Sequence, residues 1–392
     1  MTAAAPAPVA RRRTVLWPAR RRRPGNLASA SAPELRKGRS VARTAVAVAA
    51  AAGVAAAGIA ERAAVAASFA VLGHLHWLWI PAAIILESAS MAAFAVMLRR
   101  LLAVGAASIG IRPMLATAYA ANALSVSVPL AGPELATAFA YRRFTRQGAD
   151  APLAGWSLLV GGVVSTAAGV LVVGGGGLAS GNGPATVAAV PAGVLALAAL
   201  VGVAAATRRP RLRSALERPA TWALRHGSRL LRRPASDPRQ TIRAWAARLG
   251  SLQLAPSGWM TVTGLALANW LADAAVLAVA IQAAGAAVPW HDLLLVYGSG
   301  IAAQSLNLTP GGLGVTEGAL GLALVAAGLR ASQALAAVLL YRLASFWLVA
   351  LAGWLVLLWL QHRKRALRDS GTARNRAIAH ATAPGTGQRH GR

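Results

Sequence analysis

The amino-acid sequence predicts an all-α, polytopic integral membrane protein. Of its 392 residues, 56% are hydrophobic and only 13% are charged, whereas soluble globular domains carry about 25% charged residues. A chain with so few charges could not cover its surface with polar groups in water. Its apolar residues also form long blocks rather than a periodic scatter. These features exclude a soluble enzyme, and the lack of cysteine excludes disulfide bonds and thiolate chemistry.

The apolar blocks are of two kinds, continuous and interrupted. A helix needs about 20 apolar residues to cross a bilayer, and six continuous blocks meet that length: 41–60, 77–98, 153–178, 186–206, 259–284 and 334–361. Two further stretches, 113–144 and 291–329, are interrupted by proline and glycine, which end a helix. Because irregular backbone is not stable against lipid, each interrupted stretch is expected to be a kinked span or a helical hairpin with its tip inside the protein.

The positive charges favour the hairpins. If each interrupted stretch returns to its own side, one side of the membrane receives 37 of the 40 Lys and Arg residues. Cytoplasmic loops carry such an excess, so we predict a multi-pass protein of the cytoplasmic membrane with both termini in the cytoplasm. The net charge of +29 then reflects topology, and we expect no nucleic-acid partner. The segments on this side are 1–43, 99–112, 142–146, 207–248 and 362–392.

Three of these basic segments have a predicted character of their own. Residues 1–40 are expected to form a disordered polybasic tail near anionic lipid head groups. The loop 207–248 carries 12 arginines and is expected to lie on the inner leaflet as an amphipathic segment. Residues 362–392 are expected to form a polar cytoplasmic tail.

The order of the membrane elements is repeated along the chain. Span, span, interrupted hairpin and span describe residues 41–178, and the same order describes 186–361 with the basic loop 207–248 inserted. Each unit crosses the membrane three times, so the second must be inverted relative to the first. Inverted repeats with interrupted helices are a transporter architecture, whose substrate site lies where the interrupted helices meet. A chance likeness among apolar spans is the alternative.

The two interruptions share the order Asn, Pro, Gly and Glu. Proline suits the first turn of a helix, and glycine lets the backbone turn and lets a ligand approach closely. The N-terminus of a half-helix inside the protein attracts a phosphate or a carboxylate. We therefore predict that these residues line a substrate site. They are Asn122, Pro129, Gly132 and Glu134 in the first interruption, and Asn307, Pro310, Gly311, Gly312, Gly314 and Glu317 in the second.

Charged residues inside a membrane are costly and usually functional. Besides Glu134 and Glu317, the charged residues expected inside the membrane are Glu87, Asp273 and Arg342. Arg342 is the one cation deep within a span, so we expect it to pair with Glu317. Three interpretations stay open: a structural ion pair, a lipid-phosphate site that uses the guanidinium group, and proton coupling through the carboxylates.

The second interruption and the span after it resemble the signature of the lysylphosphatidylglycerol synthase transmembrane-region family, which is also described as flippase-like. The family pattern Pro-Gly-Gly-x-Gly-x-x-Glu is matched from Pro310 to Glu317, and its Arg-Leu span is matched by Arg342 and Leu343. The first interruption resembles the family's Asn, Pro, Gly and Glu element, although Pro133 intrudes. Many members carry a Glu-Arg pair in the span that follows, and this chain lacks it.

The resemblance implies a flippase-like protein that translocates an anionic phospholipid or a lipid-linked head group across the cytoplasmic membrane. Bifunctional members add a soluble aminoacyl-transferase domain, for which residues 362–392 are too few, so we expect a standalone transporter and not an enzyme. No cofactor or metal is expected. The alternatives are a membrane-embedded enzyme acting on lipid head groups and an accessory protein of cell-envelope lipid or glycan synthesis. The oligomeric state stays open.

Overall fold

The computed structural model describes residues 79–208, 248, 251–306 and 309–363. Regular structure in these residues is helical throughout, and no strand occurs among them. We number nine helices in chain order: α1 Trp79–Ala103, α2 Ile111–Ser127, α3 Gly132–Arg146, α4 Ala151–Ala179, α5 Gly183–Arg208, α6 Pro256–Ala283, α7 Leu293–Ser305, α8 Val315–Ala326 and α9 Ala331–Arg363.

Five of these helices, α1, α4, α5, α6 and α9, are long and apolar enough to cross a membrane. They confirm five of the predicted spans, and their ends lie a few residues from the predicted ones. The predicted span 41–60 lies outside the described residues. So do the tail 1–40, nearly all of the loop between α5 and α6, and the tail beyond residue 363. The all-helical, multi-pass class is thus confirmed.

Each interrupted stretch forms a hairpin of two short helices, α2 with α3 and α7 with α8. The side chain of Arg248 shows that the two ends of the first hairpin lie close together. Its Nη2 donates to the carbonyl of Gly105, which precedes α2 (3.1 Å), and its Nε pairs with Asp150, which follows α3 (2.6 Å). The side-chain amide of Gln333 in α9 likewise donates to the carbonyl of Gly285 ahead of α7 (3.1 Å). The hairpin prediction is confirmed.

The helices α1 and α6 lie side by side and run antiparallel. The C-terminal part of α1 and the N-terminal part of α6 share an apolar cluster that includes Leu98 and Val262. The opposite ends of the two helices share a second cluster, which includes Ala83 and Ala280. This pair therefore joins the first half of the described chain to the second along its whole length.

Each hairpin also packs against a long helix of the other half. Gly176 of α4 and Gly298 of α7 let these two helices approach closely, since a Cβ at either position would overlap the other helix. Gly353 of α9 lies in the same way against the backbone of α2, and the indole N–H of Trp354 donates to the Ser127 hydroxyl (3.0 Å). Each half thus packs its hairpin against a long helix of the other half, as two related halves would. The inverted repeat itself stays a prediction.

Candidate functional site

A buried ion pair links α9 to the second hairpin, as the sequence predicts. Arg342 is only 3% exposed. Its Nε donates to Oε1 of Glu317 (2.5 Å), and its Nη2 donates to the carbonyl of Gly311 (2.9 Å). The guanidinium group also lies over the ring of Phe346, 4.2 Å from the ring centroid. The hairpin tip and the aromatic ring therefore compensate the cost of burying this charge.

The carboxylate of Glu317 is shared between two donors. While Oε1 accepts from Arg342, Oε2 accepts the backbone N–H of Gly314 at the start of α8 (2.6 Å). A carboxylate at a helix N-terminus satisfies a free N–H group and interacts favourably with the helix dipole. The Glu317 side chain is 15% exposed and that of Arg342 is 4% exposed. The acid is thus the more accessible partner.

The glycines of the second tip are required by its backbone. Gly311, Gly312 and Gly314 have φ angles of 59°, 72° and 80°, which favour glycine. A Cβ at Gly311 would overlap the ring of Phe346, and a Cβ at Gly312 would meet the Thr316 hydroxyl. The motif Pro-Gly-Gly-x-Gly therefore lets the tip lie directly against the Arg342 site.

Two further features surround the ion pair. Thr316 in the first turn of α8 is 2% exposed, and its hydroxyl has no hydrogen-bond partner in the described part of the chain. Such a buried polar atom is costly and marks a place where a polar ligand would be stabilised. Directly after Arg342, α9 contains a π-helical segment, Leu343–Leu348, which carries Phe346. Segments of this kind are frequent at functional sites.

The first tip also turns tightly, but its backbone and its environment differ from those of the second. Gly132 lies so close to the carbonyl of Ser125 that a Cβ would overlap it, and Leu130 has a positive φ of 59°. Pro129 is part of this turn, and Glu134 in the first turn of α3 is exposed.

The two tips meet through apolar side chains. Val126 at the end of α2 packs against Leu313 of the second tip and Phe346 of α9. The polar residues of the first tip do not join the ion pair. The amide of Asn122 donates to the sulfur of Met91 (3.7 Å), and Glu134 has no ion pair among the described residues. The second tip thus supplies the charged part of the site.

The predicted site residues therefore fall into three groups. Pro310, Gly311, Gly312, Gly314, Glu317 and Arg342 come together at the second tip. Asn122, Pro129, Gly132 and Glu134 belong to the first tip, and within the described ranges none of them makes a polar contact with Arg342 or Glu317. Asn307 lies outside the described residues.

A second polar cluster beside Arg342 includes tyrosines that the sequence analysis missed. Asp273 of α6 accepts hydrogen bonds from the hydroxyls of Tyr297 (2.7 Å) and Tyr341 (3.2 Å). Tyr341 is the neighbour of Arg342 in α9. The sequence did contain a signal: the chain has only four tyrosines, and a tyrosine hydroxyl buried in an apolar helix requires a polar partner.

Comparison with protein families gives one match of broad extent. The family described as lysylphosphatidylglycerol synthase TM region matches residues 41–353, a range that contains both hairpins and Arg342. A comparison with curated proteins finds no match. The family is that of a membrane region with a role in lipid modification or lipid flipping. The chain belongs to the lysylphosphatidylglycerol synthase TM region family.

Proposed function

We propose that the protein translocates an anionic lipid or a lipid-linked head group across the cytoplasmic membrane, and that a phosphate of this substrate binds at the second tip. The proposal rests on one observation. The carboxylate of Glu317 already holds the Arg342 guanidinium and the Gly314 N–H. A guanidinium and a helix N-terminus are the donors that bind phosphate in proteins. The carboxylate thus stands where a phosphate would be bound.

Substrate binding is then an exchange of anions. With no substrate bound, Glu317 compensates the buried charge of Arg342, which without a partner would be strongly destabilising. A phosphate that displaces Glu317 would take over both donors. The buried hydroxyl of Thr316 would supply a third. Because Glu317 is the more exposed partner, it can leave the pair while Arg342 stays in place.

The depth of the site suits transport. Arg342 is the twelfth residue of α9, which at 1.5 Å per residue places it roughly 17 Å along the helix. We infer from this distance that the site lies well inside the hydrocarbon core, which is roughly 30 Å thick. Sites at the midplane between two interrupted helices are typical of transporters built from inverted repeats. The exchanged packing of hairpins and long helices supports such a repeat here.

Lipid binding to the purified protein tests the proposal. In neutral detergent, anionic lipids should raise the melting temperature more than zwitterionic lipids do. A ligand at 100 times its Kd adds about 2.7 kcal/mol of stability. The Arg342→Lys variant should lose most of this selectivity, because an ammonium group cannot reproduce the planar fork of a guanidinium.

The exposed Arg330 provides a matched control, since it lies at the start of the same helix. Arg330→Lys should respond to anionic lipids as the original protein does. Translocation of a labelled anionic lipid in vesicles should likewise be reduced in Arg342→Lys and unchanged in Arg330→Lys. Equal stabilisation by anionic and zwitterionic lipids would contradict the proposed phosphate site.

A further inference from the structure

A pair of acidic side chains lies between α1 and α6, the two helices that join the halves of the described chain. Midway along this contact, the Ser90 hydroxyl donates to the carbonyl of Asn269 (3.1 Å), and the Asn269 amide donates to the carbonyl of Ser90 (3.0 Å). Glu87 lies one turn before Ser90, and Asp273 lies one turn after Asn269. Because the helices are antiparallel, both carboxylates lie at the same level.

The environment of Glu87 does not compensate a negative charge. Glu87 is only 7% exposed, and its Oε2 is buried without a hydrogen-bond partner in the described ranges. The titratable groups that face it are Asp273 on α6, Tyr119 on α2, Tyr297 on α7 and Tyr341 on α9. None of these groups is a cation.

The environment of Asp273 is different. Its two oxygens accept hydrogen bonds from Tyr297 and Tyr341, and the positive charge of Arg342 acts on it. Two carboxylates that face each other away from water cannot both stay ionised at low cost. Since Asp273 has three favourable partners, the shared proton belongs on Glu87.

We propose that Glu87 is a proton-binding site with Asp273 as its ionised partner, and that proton binding there favours anion binding at Arg342. The link runs through α9, since Tyr341 contacts Asp273 and Arg342 holds the second tip. A deprotonated Glu87 adds a negative charge beside Asp273 and opposes an anion at Arg342. Such coupling is reciprocal, so binding of the anion also favours uptake of a proton. This coupling rests on the proposed function, whereas the proton site does not.

Infrared spectroscopy tests the proton site directly, because a protonated carboxyl group has a C=O band that a carboxylate lacks. The full chain in an ester-free detergent at neutral pH should show this band. Glu87→Gln should abolish it, and Asp292→Asn, which removes an acid outside the cluster, should keep it. Glutamine imitates the protonated acid, so Glu87→Gln should also keep the melting temperature of the original protein. A band that is absent, or that persists in Glu87→Gln, would overturn the proton site.

The coupling is tested by measuring, from about pH 5 to about pH 9, how much anionic lipid raises the melting temperature. In the original protein the stabilisation should fall as pH rises and Glu87 loses its proton. In Glu87→Gln it should be independent of pH, and in Asp292→Asn it should fall as in the original. An equal fall in Glu87→Gln would overturn the coupling. If anionic lipids stabilise none of these proteins at any pH, the proposed phosphate site and the coupling both fail, and the infrared band still decides the proton site.

Discussion

The two hairpin tips have the same residue order, but among the described residues the second alone holds a buried charge pair. At the second tip, Glu317 meets Arg342 of the long helix that follows. At the first tip, Glu134 is exposed, and the long helix that follows, α4, contains no charged residue. The difference between the tips thus lies in the helix that follows, since Arg342 of α9 gives Glu317 a buried partner and α4 has no charged residue to offer Glu134.

The largest expected difference between the tips concerns these acids and their partners. Arg342→Met should destabilise the protein by about 3–5 kcal/mol, because it leaves a carboxylate without its partner. Glu134→Gln should change stability by no more than about 0.5 kcal/mol, since its side chain is exposed. Thermal melting in neutral detergent measures both. Comparable losses at the two tips would contradict the asymmetry.

A smaller effect is expected from the glycines, and here the tips should behave alike. Gly132→Ala would overlap the Ser125 carbonyl, and Gly311→Ala would overlap the ring of Phe346 at a positive φ. Each should destabilise by about 1–3 kcal/mol. Gly162→Ala in α4 is the control, since a Cβ there meets nothing within 4 Å. It should be neutral or stabilising by up to about 1 kcal/mol. A tip that accepts alanine without loss would not have the backbone described.

Single cysteines are expected to change stability least, and their labelling tests the topology of the two tips most directly. The chain has none of its own, so Thr145→Cys and Ser180→Cys can each be labelled without background. Thr145 lies at the end of the first hairpin and Ser180 after α4. An impermeant thiol reagent added outside intact cells should label Ser180→Cys and not Thr145→Cys. External labelling of Thr145→Cys would contradict the predicted cytoplasmic side and with it the inverted repeat.

The sequence predicts the spans and hairpins well because their signals are local. Five apolar blocks of sufficient length became helices, and proline and glycine at 129–132 and 310–314 became the two turns. The pairing of Arg342 with Glu317 was also predictable, because a lone cation deep in a span requires an acid nearby.

The contacts between helices could not be predicted in the same way. The pairing of Ser90 with Asn269 depends on the register of α1 against α6, which no local pattern specifies. The bonds from Tyr297 and Tyr341 to Asp273 join three helices that are distant in the sequence. The presence of acids in the spans was visible, but which neighbours would compensate them was not.

The most direct test of the central claim, that Arg342 binds the substrate, is a double-mutant cycle on Arg342 and Glu317. Arg342→Met, Glu317→Gln and the double variant are compared twice, once by melting temperature and once by translocation of an anionic lipid in vesicles. Removing both partners of a buried pair can be nearly neutral, so the double variant should recover stability. It should nevertheless stay inactive, because no cation remains to bind the phosphate. Full translocation by the double variant would contradict the claim and leave Arg342 and Glu317 as a structural ion pair.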